Sequence, residues 1–286
     1  LLPYSVGSIL NQTIKDIEVF IIGDGVYDET RKIIHELMEK DERVRFFDHP
    51  KHERRGELYR HEALQQAHGK IVCYLCDRDL MLDFHIENLL KYYEKYNFVT
   101  SHCFNSLIDG LMDIGVTLFV GEITNKERKL GAGRTLPGTH KGFRLSTLSH
   151  SLDLYKKLPF GWRTTPSSTP TDHYMYEQFL AHTECMPFFS IYPPSILYIR
   201  RGAHHNGWST SERLKEIMDW SDFLKKENYL NELKEFSLKG LVSRRNSLWI
   251  ENEYFKRKIF NSEALISFGK KINRTLRKFV NLFYFR

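Results

Sequence analysis

Two short acidic segments carry the residues best suited to chemistry, and each follows an apolar run. Gly23-Asp24-Gly25 comes directly after Ile17-Glu18-Val19-Phe20-Ile21-Ile22, and Cys76-Asp77-Arg78-Asp79 directly after Ile71-Val72-Cys73-Tyr74-Leu75. A carboxylate between two glycines can come close to a ligand and accept a hydrogen bond from a base or a ribose hydroxyl. The same triplet also makes a plain turn that ends a strand. Position separates these segments from ordinary loops, because open α/β sheets bind ligands beyond the carboxyl ends of their strands. Two acidic loops so placed point to a nucleotide site.

The elements that must position these loops follow from periodicity. Ser5 to Gln12 reads as the tail of a helix, with Val6, Ile9 and Leu10 on one face. A strand from Glu18 to Ile22 feeds a helix over 29–40, whose apolar stripe is Ile33, Ile34 and Leu37 and whose expected N-cap is Asp28. A strand from Val44 to Asp48, a helix over 57–67 stopped by Gly69 and a strand from Ile71 to Leu75 follow. This β-α-β-α-β order predicts a mostly parallel sheet flanked by helices, in the α/β class. Further on, the pattern predicts a helix over 83–96, strands over 98–104 and 116–123, a helix over 172–181 and a strand over 190–200. Residues 124–145, rich in Gly, Lys and Arg, and 159–172, rich in Pro, Ser and Thr, read as irregular segments framing a substrate entrance. Beyond Ser211 the chain turns helical, charged and aromatic, so the expected division is a domain over 1–208 and a basic helical appendage over 209–286.

With 286 residues, 41% of them hydrophobic, the chain can fill a complete core. Its 42 basic and 36 acidic residues leave a net charge of +6, too slight a bias to announce a nucleic-acid partner. Cys73, Cys76, Cys103 and Cys185 lack the regular spacing of a disulfide framework, which implies a reducing, cytoplasmic setting. The C-x-x-C spacing of Cys73 and Cys76 has no second pair, so zinc is not expected. His61 and His68, with His35, His49 and His52, read as ordinary surface residues. No run approaches the roughly 18 apolar residues of a membrane span, and no signal peptide is recognisable at the front.

A family resemblance becomes specific when the motifs are read in order. Ser8-Ile9-Leu10-Asn11-Gln12-Thr13, Asp16-Ile17-Glu18-Val19, Gly23-Asp24-Gly25 with Asp28 and Thr30, Arg43-Val44-Arg45, Ala67-His68-Gly69-Lys70 and Leu75-Cys76-Asp77-Arg78-Asp79 resemble family 2 glycosyltransferases of the GT-A fold. The match is good from Ser5 to Leu90 and loose beyond. In that family an apolar strand precedes the first helix, so the chain is expected to lack its usual first strand.

The resemblance implies a role for each motif. Asp24 would lie near the uracil or other base of a sugar nucleotide. A sugar diphosphate repels carboxylates, so Asp77 and Asp79 could face it only through a divalent cation, Mg2+ or Mn2+. Arg78 stands where the family often has another aspartate, which leaves open whether Asp77, Asp79 or both bind the metal and whether Arg78 meets phosphate. The plain alternative is a polar loop with an internal salt bridge. In the run Arg200-Arg201-Gly202-Ala203-His204-His205, the resemblance suggests His204 or His205 as a metal or diphosphate contact and Arg201 as a phosphate donor fork. Thr169-Pro170-Thr171-Asp172 resembles the family's acidic site of the catalytic base, with Asp172 the candidate and a plain helix N-cap its bland alternative. Lys141 to Arg144 and Trp162 are placed beside the pocket.

The expected activity is inverting, metal-assisted transfer of a sugar from a nucleoside diphosphate sugar, a UDP-sugar favoured, to a saccharide or lipid-linked acceptor, as in polysaccharide biosynthesis. The alternatives are a nucleotidyltransferase and a noncatalytic sugar-nucleotide or glycan-binding module. From Tyr254 to Arg286, nine Lys and Arg residues interleave with phenylalanines against Glu263 alone, which suits an anionic bilayer surface and peripheral attachment at the inner face of the cell membrane.

Overall fold

The computed structural model describes residues 1–106, 112–114, 121–122, 144–199 and 208–260. A first layer is built at the front of the chain. Helix α1 (Leu2–Leu10) leads to strand β1 (Val19–Ile22), helix α2 (Asp28–Lys40) and strand β2 (Val44–Phe47). The two strands pair in parallel, Val19 opposite Val44 and Ile22 opposite Phe47. Ile34 of α2, with no exposed surface, packs with Val6, Val19, Ile21 and Val44 into one apolar cluster. The N-cap of α2 is Tyr27, so Asp28 is the first helical residue and its carboxylate accepts from Arg31 at 2.7 Å instead of capping the backbone. It still favours the helix, since negative charge in a first turn complements the dipole.

Helix α3 (Glu57–Gln65) and strand β3 (Ile71–Cys73) follow, then β4 (Leu80–Met81), helix α4 (His85–Tyr93) and the long strand β5 (Phe98–Ser106). Short strands β6 (Met112–Ile114) and β7 (Gly121–Glu122) precede a 3-10 turn (Leu145–Thr147), β8 (Leu148–Ser151), helix α5 (Leu152–Lys156), helix α6 (Thr171–Ala181) and strand β9 (Pro187–Tyr198). Their sheet has the order β3-β8-β5-β9-β4, with β6 on β5 and β7 on β9. Phe98, Trp162, Tyr155, Phe179 and Phe189 form the core beneath it.

The α/β class expected from the sequence holds, while the strand directions differ from a mostly parallel sheet. Among the described strands β1·β2 and β5·β9 are parallel; β3·β8, β5·β8, β4·β9, β5·β6 and β7·β9 are antiparallel. An apolar run reports burial and says nothing of the direction of the neighbour it will meet. The expected strand over 116–123 falls within the described residues only as β7, and most of 124–145 lies outside them.

Helices α7 (Thr210–Phe223) and α8 (Tyr229–Phe260) complete the described chain. A capping box opens α7, Ser209 Oγ accepting from Glu212 N at 3.2 Å while Ser209 N donates to the Glu212 carboxylate at 2.6 Å. The first compact unit runs from Leu1 to Ser237 and a second begins at Leu238. The first unit thus continues past the expected boundary at 208, because Ile217 and Leu233 are buried in one cluster with Leu80, Phe104 and Leu197.

Candidate functional site

The end of β1 is shaped by hydrogen bonds that outlast the strand. Gly23 N donates to Phe47 O and Gly25 N to His49 O, both at 2.8 Å, so the backbone on either side of Asp24 stays paired with the chain after β2. Gly25 has φ +68, and a Cβ there would lie 2.6 Å from Lys51 Cβ, which makes this a position for glycine. Gly56, with φ +62, caps α3 and leaves room for Asp24, whose Cβ and Cγ would be 3.0 Å from any added methyl. The Asp24 carboxylate accepts His52 N–H at 2.6 Å on one oxygen and pairs with the Lys51 ammonium on the other. Burial works to raise its pKa, but the Lys51 and His52 hydrogen bonds outweigh it and hold the group below the ordinary 3.8.

The second acidic segment forms a tight turn in which Asp79 N donates to Cys76 O at 3.0 Å. Asp79 has no exposed surface. One of its oxygens accepts the Ser146 hydroxyl at 2.6 Å and the other accepts Ile199 N–H at 3.2 Å, while Ser146 Oγ itself accepts Cys76 N–H at 3.0 Å. Asp79 therefore holds the turn to the 3-10 segment and to the residue from which the chain leaves for 200–207. Asp77 is exposed at the tip, and Arg78 is half-buried beside a shallow pocket lined by Leu1, Ile199, Arg213, Glu216 and Ile217.

Contacts link the surroundings of β1 and β3, although the two strands belong to different sheets. At their amino ends Glu18 accepts from His68 N at 2.7 Å and Gly69 N at 2.8 Å. At their carboxyl ends Trp162 Nε1–H donates to Tyr74 OH at 2.9 Å, and the Arg60 guanidinium lies 4.8 Å from the Trp162 ring centroid. Arg60 also donates to Arg55 O at 3.4 Å, next to the Gly56 that packs on Asp24. A relay of contacts from Tyr74 through Trp162 and Arg60 thus reaches the neighbourhood of Asp24.

Asp172 stands in the first turn of α6, whose N-cap is Pro170. It is not the cap: one carboxylate oxygen accepts the Thr171 hydroxyl at 3.0 Å, and among the described residues the other makes no hydrogen bond. Trp162 and Arg144, both expected beside the pocket, are among the described residues. Trp162 is buried in the core at 2% exposure, and Arg144 stacks 3.6 Å from the Tyr198 ring centroid. Arg201, His204, His205 and the segment Lys141 to Phe143 lie outside the described residues.

Several residues of this region escaped sequence reasoning. Arg54 and Glu57 bind the segment before Asp172, as developed below. His61, read from sequence as a surface residue, meets Tyr155 OH at 2.7 Å through Nδ1. His150 Nδ1 lies 3.0 Å from Ser151 O and must donate to it, so its bare Nε2 accepts Tyr74 OH at 2.7 Å. Burial pushes His150 down to about 4, which keeps this ring neutral. A charged run beside a glycine, His52-Glu53-Arg54-Arg55-Gly56, facing a proline-rich segment short of backbone donors, was the available signal.

A divalent cation needs several converging donors. No group of three or more His, Cys, Asp or Glu residues that could hold one exists among the described residues. Asp79 does not fit as a ligand while both its oxygens are engaged and its surface is closed, which leaves Asp77 as the accessible carboxylate of the turn. Cys73 does not suit zinc, since burial pushes its thiol up to about 12.

Residues 1–146, which contain both acidic loops, match the profile of glycosyl transferase family 2. The chain belongs to that family. An uncharacterised glycosyltransferase of Rickettsia bellii is 33% identical over 105 residues, 37% of this chain and 15% of its own. The GalNAc(5)-diNAcBac-PP-undecaprenol beta-1,3-glucosyltransferase of Campylobacter jejuni is 30% identical over 104 residues, 36% of this chain and 34% of its own. The similarity therefore spans about a third or less of these curated relatives. Residues 1–349 of S. aureus TarS, crystallised with UDP-GlcNAc, share the fold with a TM-score of 0.54 at 13% identity, covering 84% of this chain and 67% of that one. The architecture of this family member is accordingly GT-A.

Proposed function

We propose that the chain transfers a sugar from a nucleoside diphosphate donor, a UDP-sugar, to a hydroxyl of a saccharide or lipid-linked acceptor, with inversion at the anomeric carbon. The observation that carries this reading is the family match over residues 1–146, which spans Asp24 and the Cys76–Asp79 turn. Asp24 receives the base or ribose, displacing Lys51, whose long exposed side chain can swing aside. Arg78 and Arg201 donate to the diphosphate. Asp77, with His204 or His205, would hold Mg2+ or Mn2+, which when bound supplies charge neutralisation at the leaving diphosphate. Asp172 takes the acceptor proton: the acceptor oxygen forms its bond to the anomeric carbon as the bond to the diphosphate breaks on the opposite face. The open oxygen of Asp172 and its place in the first turn of α6 support that role.

A UDP donor is supported by the TarS complex, and a lipid-linked acceptor by the undecaprenol-linked substrate in the name of the Campylobacter relative. Contact with an anionic membrane surface agrees with helix α8, where Leu238, Val242, Arg245 and Trp249 recur at helical spacing and are all exposed. Among the described residues no helix is long and apolar enough to cross a membrane.

The deciding experiment follows sugar transfer and UDP release from a panel of UDP-, GDP- and dTDP-sugars in the native chain, Asp24→Ala and Asp172→Asn. Loss of roughly 100-fold or more in kcat for Asp172→Asn with UDP binding retained supports the assignment. Full turnover in both variants, or donor binding with no turnover by the native chain, overturns it, and the latter outcome identifies a binding module.

A further inference from the structure

The loop between β2 and α3 faces two ways. On one side it closes over Asp24 through Lys51 and the His52 amide. On the other it grips the irregular segment that leads into Asp172. Arg54 donates to Ser167 O at 3.4 Å through one terminal nitrogen, and to Pro166 O at 3.3 Å and Thr169 O at 3.1 Å through the other. Glu57, with no exposed surface, accepts Thr165 N–H at 2.9 Å on one oxygen and Arg55 N–H at 2.9 Å on the other. His52 has its tautomer set by its neighbours. Nδ1 accepts Arg54 N–H at 3.1 Å, so Nε2 carries the hydrogen and donates to Thr164 Oγ1 at 3.2 Å.

Five of these bonds land on residues 164–169, a stretch that forms neither helix nor strand. Holding such a backbone in one conformation costs conformational entropy, which hydrogen bonds to charged partners offset. Arg54 does this at some expense to itself, because its Nε–H is buried with no acceptor. A guanidinium selected for charge alone would turn that edge to water. This one is held for where its terminal nitrogens point.

We propose that Arg54 is a positioning residue: through residues 164–169 it fixes the first turn of α6 and so the place of Asp172, which makes turnover depend on the loop that closes over Asp24. The proposal rests on the reading of Asp172 as the base. Its effect is on the reaction step, and donor affinity is left alone.

The test compares Arg54→Ala and Arg54→Lys in the full chain, with Glu57→Gln as a second route to the same grip should Arg54→Ala fold poorly. The expected result is unchanged UDP affinity by calorimetry, a roughly 10- to 100-fold fall in kcat for Arg54→Ala with the donor KM unmoved, and partial recovery in Arg54→Lys. Amide hydrogen exchange should quicken in peptides covering 163–172 and stay as in the native chain across β5. Unchanged kcat, a kcat loss matched by lost UDP affinity, or unaltered exchange over 163–172 overturns the proposal. If Asp172→Asn keeps full turnover the catalytic assignment fails on its own, while the exchange result still reports whether Arg54 orders the segment.

Discussion

Asp79 and Ser146 share a hydrogen bond of 2.6 Å that ties the second acidic turn to the segment entering β8. Because Ser146 also accepts from Cys76 N and Asp79 also accepts from Ile199 N, one carboxylate and one hydroxyl secure three separate stretches of chain. Such economy is possible only for a carboxylate withdrawn from solvent, where each charge-assisted bond is strengthened by the low local dielectric. The neighbouring Asp77 stands exposed at the tip of the turn.

The two aspartates should therefore fail in opposite ways. Asp79→Ala strands the Ser146 hydroxyl and the Ile199 amide in the interior, at a cost of about 3 kcal/mol, and should lower the melting temperature by several degrees. Asp77→Ala should melt like the native chain, yet lose the extra stabilisation that UDP gains from Mn2+, an effect that chelation by EDTA should reproduce in the native chain. Thermal melts with UDP, Mn2+ and EDTA in all combinations check this. A stable Asp79→Ala beside a destabilised Asp77→Ala would reverse the assignment.

Two buried imidazoles set a pH dependence for the fold. His85, at 2% exposure, sits 2.7 Å from Ser195 Oγ and is pushed by burial down to about 3. His150, fully buried, is pushed down to about 4 by burial, against the opposing pull of its bond to Ser151 O. Both lie below the ordinary 6.5, so the unfolded chain binds more protons and the folded state loses stability as pH falls from 6.5. Each group contributes a slope of up to about 1.4 kcal/mol per pH unit. The lowered carboxylates Asp24, Asp41 and Glu57 act below this window, where stability is lost as pH falls through their depressed values. Urea midpoints should be level above pH 7 and decline from 6.5 to 5, less steeply in His85→Gln. A level profile down to pH 5 would contradict these burials.

What sequence made legible was local. The apolar run before Gly23-Asp24-Gly25 marked β1 and its loop because a strand needs apolar residues and the turn needs a glycine at Gly25, where φ is +68. Helix α2 was expected within one residue of its observed start. What stayed hidden depends on partners far along the chain. Glu57 looks like any acidic residue in a first helical turn, and only the Thr165 amide arriving from the other side of the site explains why it is buried. Trp162 was expected beside the pocket, but its ring fills the core and its indole N–H donates to Tyr74. The antiparallel pairing of β3 was missed for a similar reason, since its partner β8 leaves no mark in Ile71 to Leu75.

The last expectation concerns helix α8. Leu238, Val242 and Trp249 are 64%, 51% and 65% exposed, on one face with Arg245, an arrangement that wastes apolar surface unless something covers it. An anionic bilayer offers both needs, acyl chains for the aromatic and aliphatic groups and headgroups for the basic residues that continue in the sequence beyond Tyr254. Vesicles of phosphatidylglycerol should sediment the native chain, and vesicles of phosphatidylcholine should do so far less. Trp249→Ser combined with Val242→Ser should weaken that binding roughly tenfold or more, the burial of each such side chain being worth about 1.5–3 kcal/mol. Raising the salt to 0.5 M should weaken it further by screening. Equal binding to both lipids, or none by the native chain, would rule out this surface as the membrane contact.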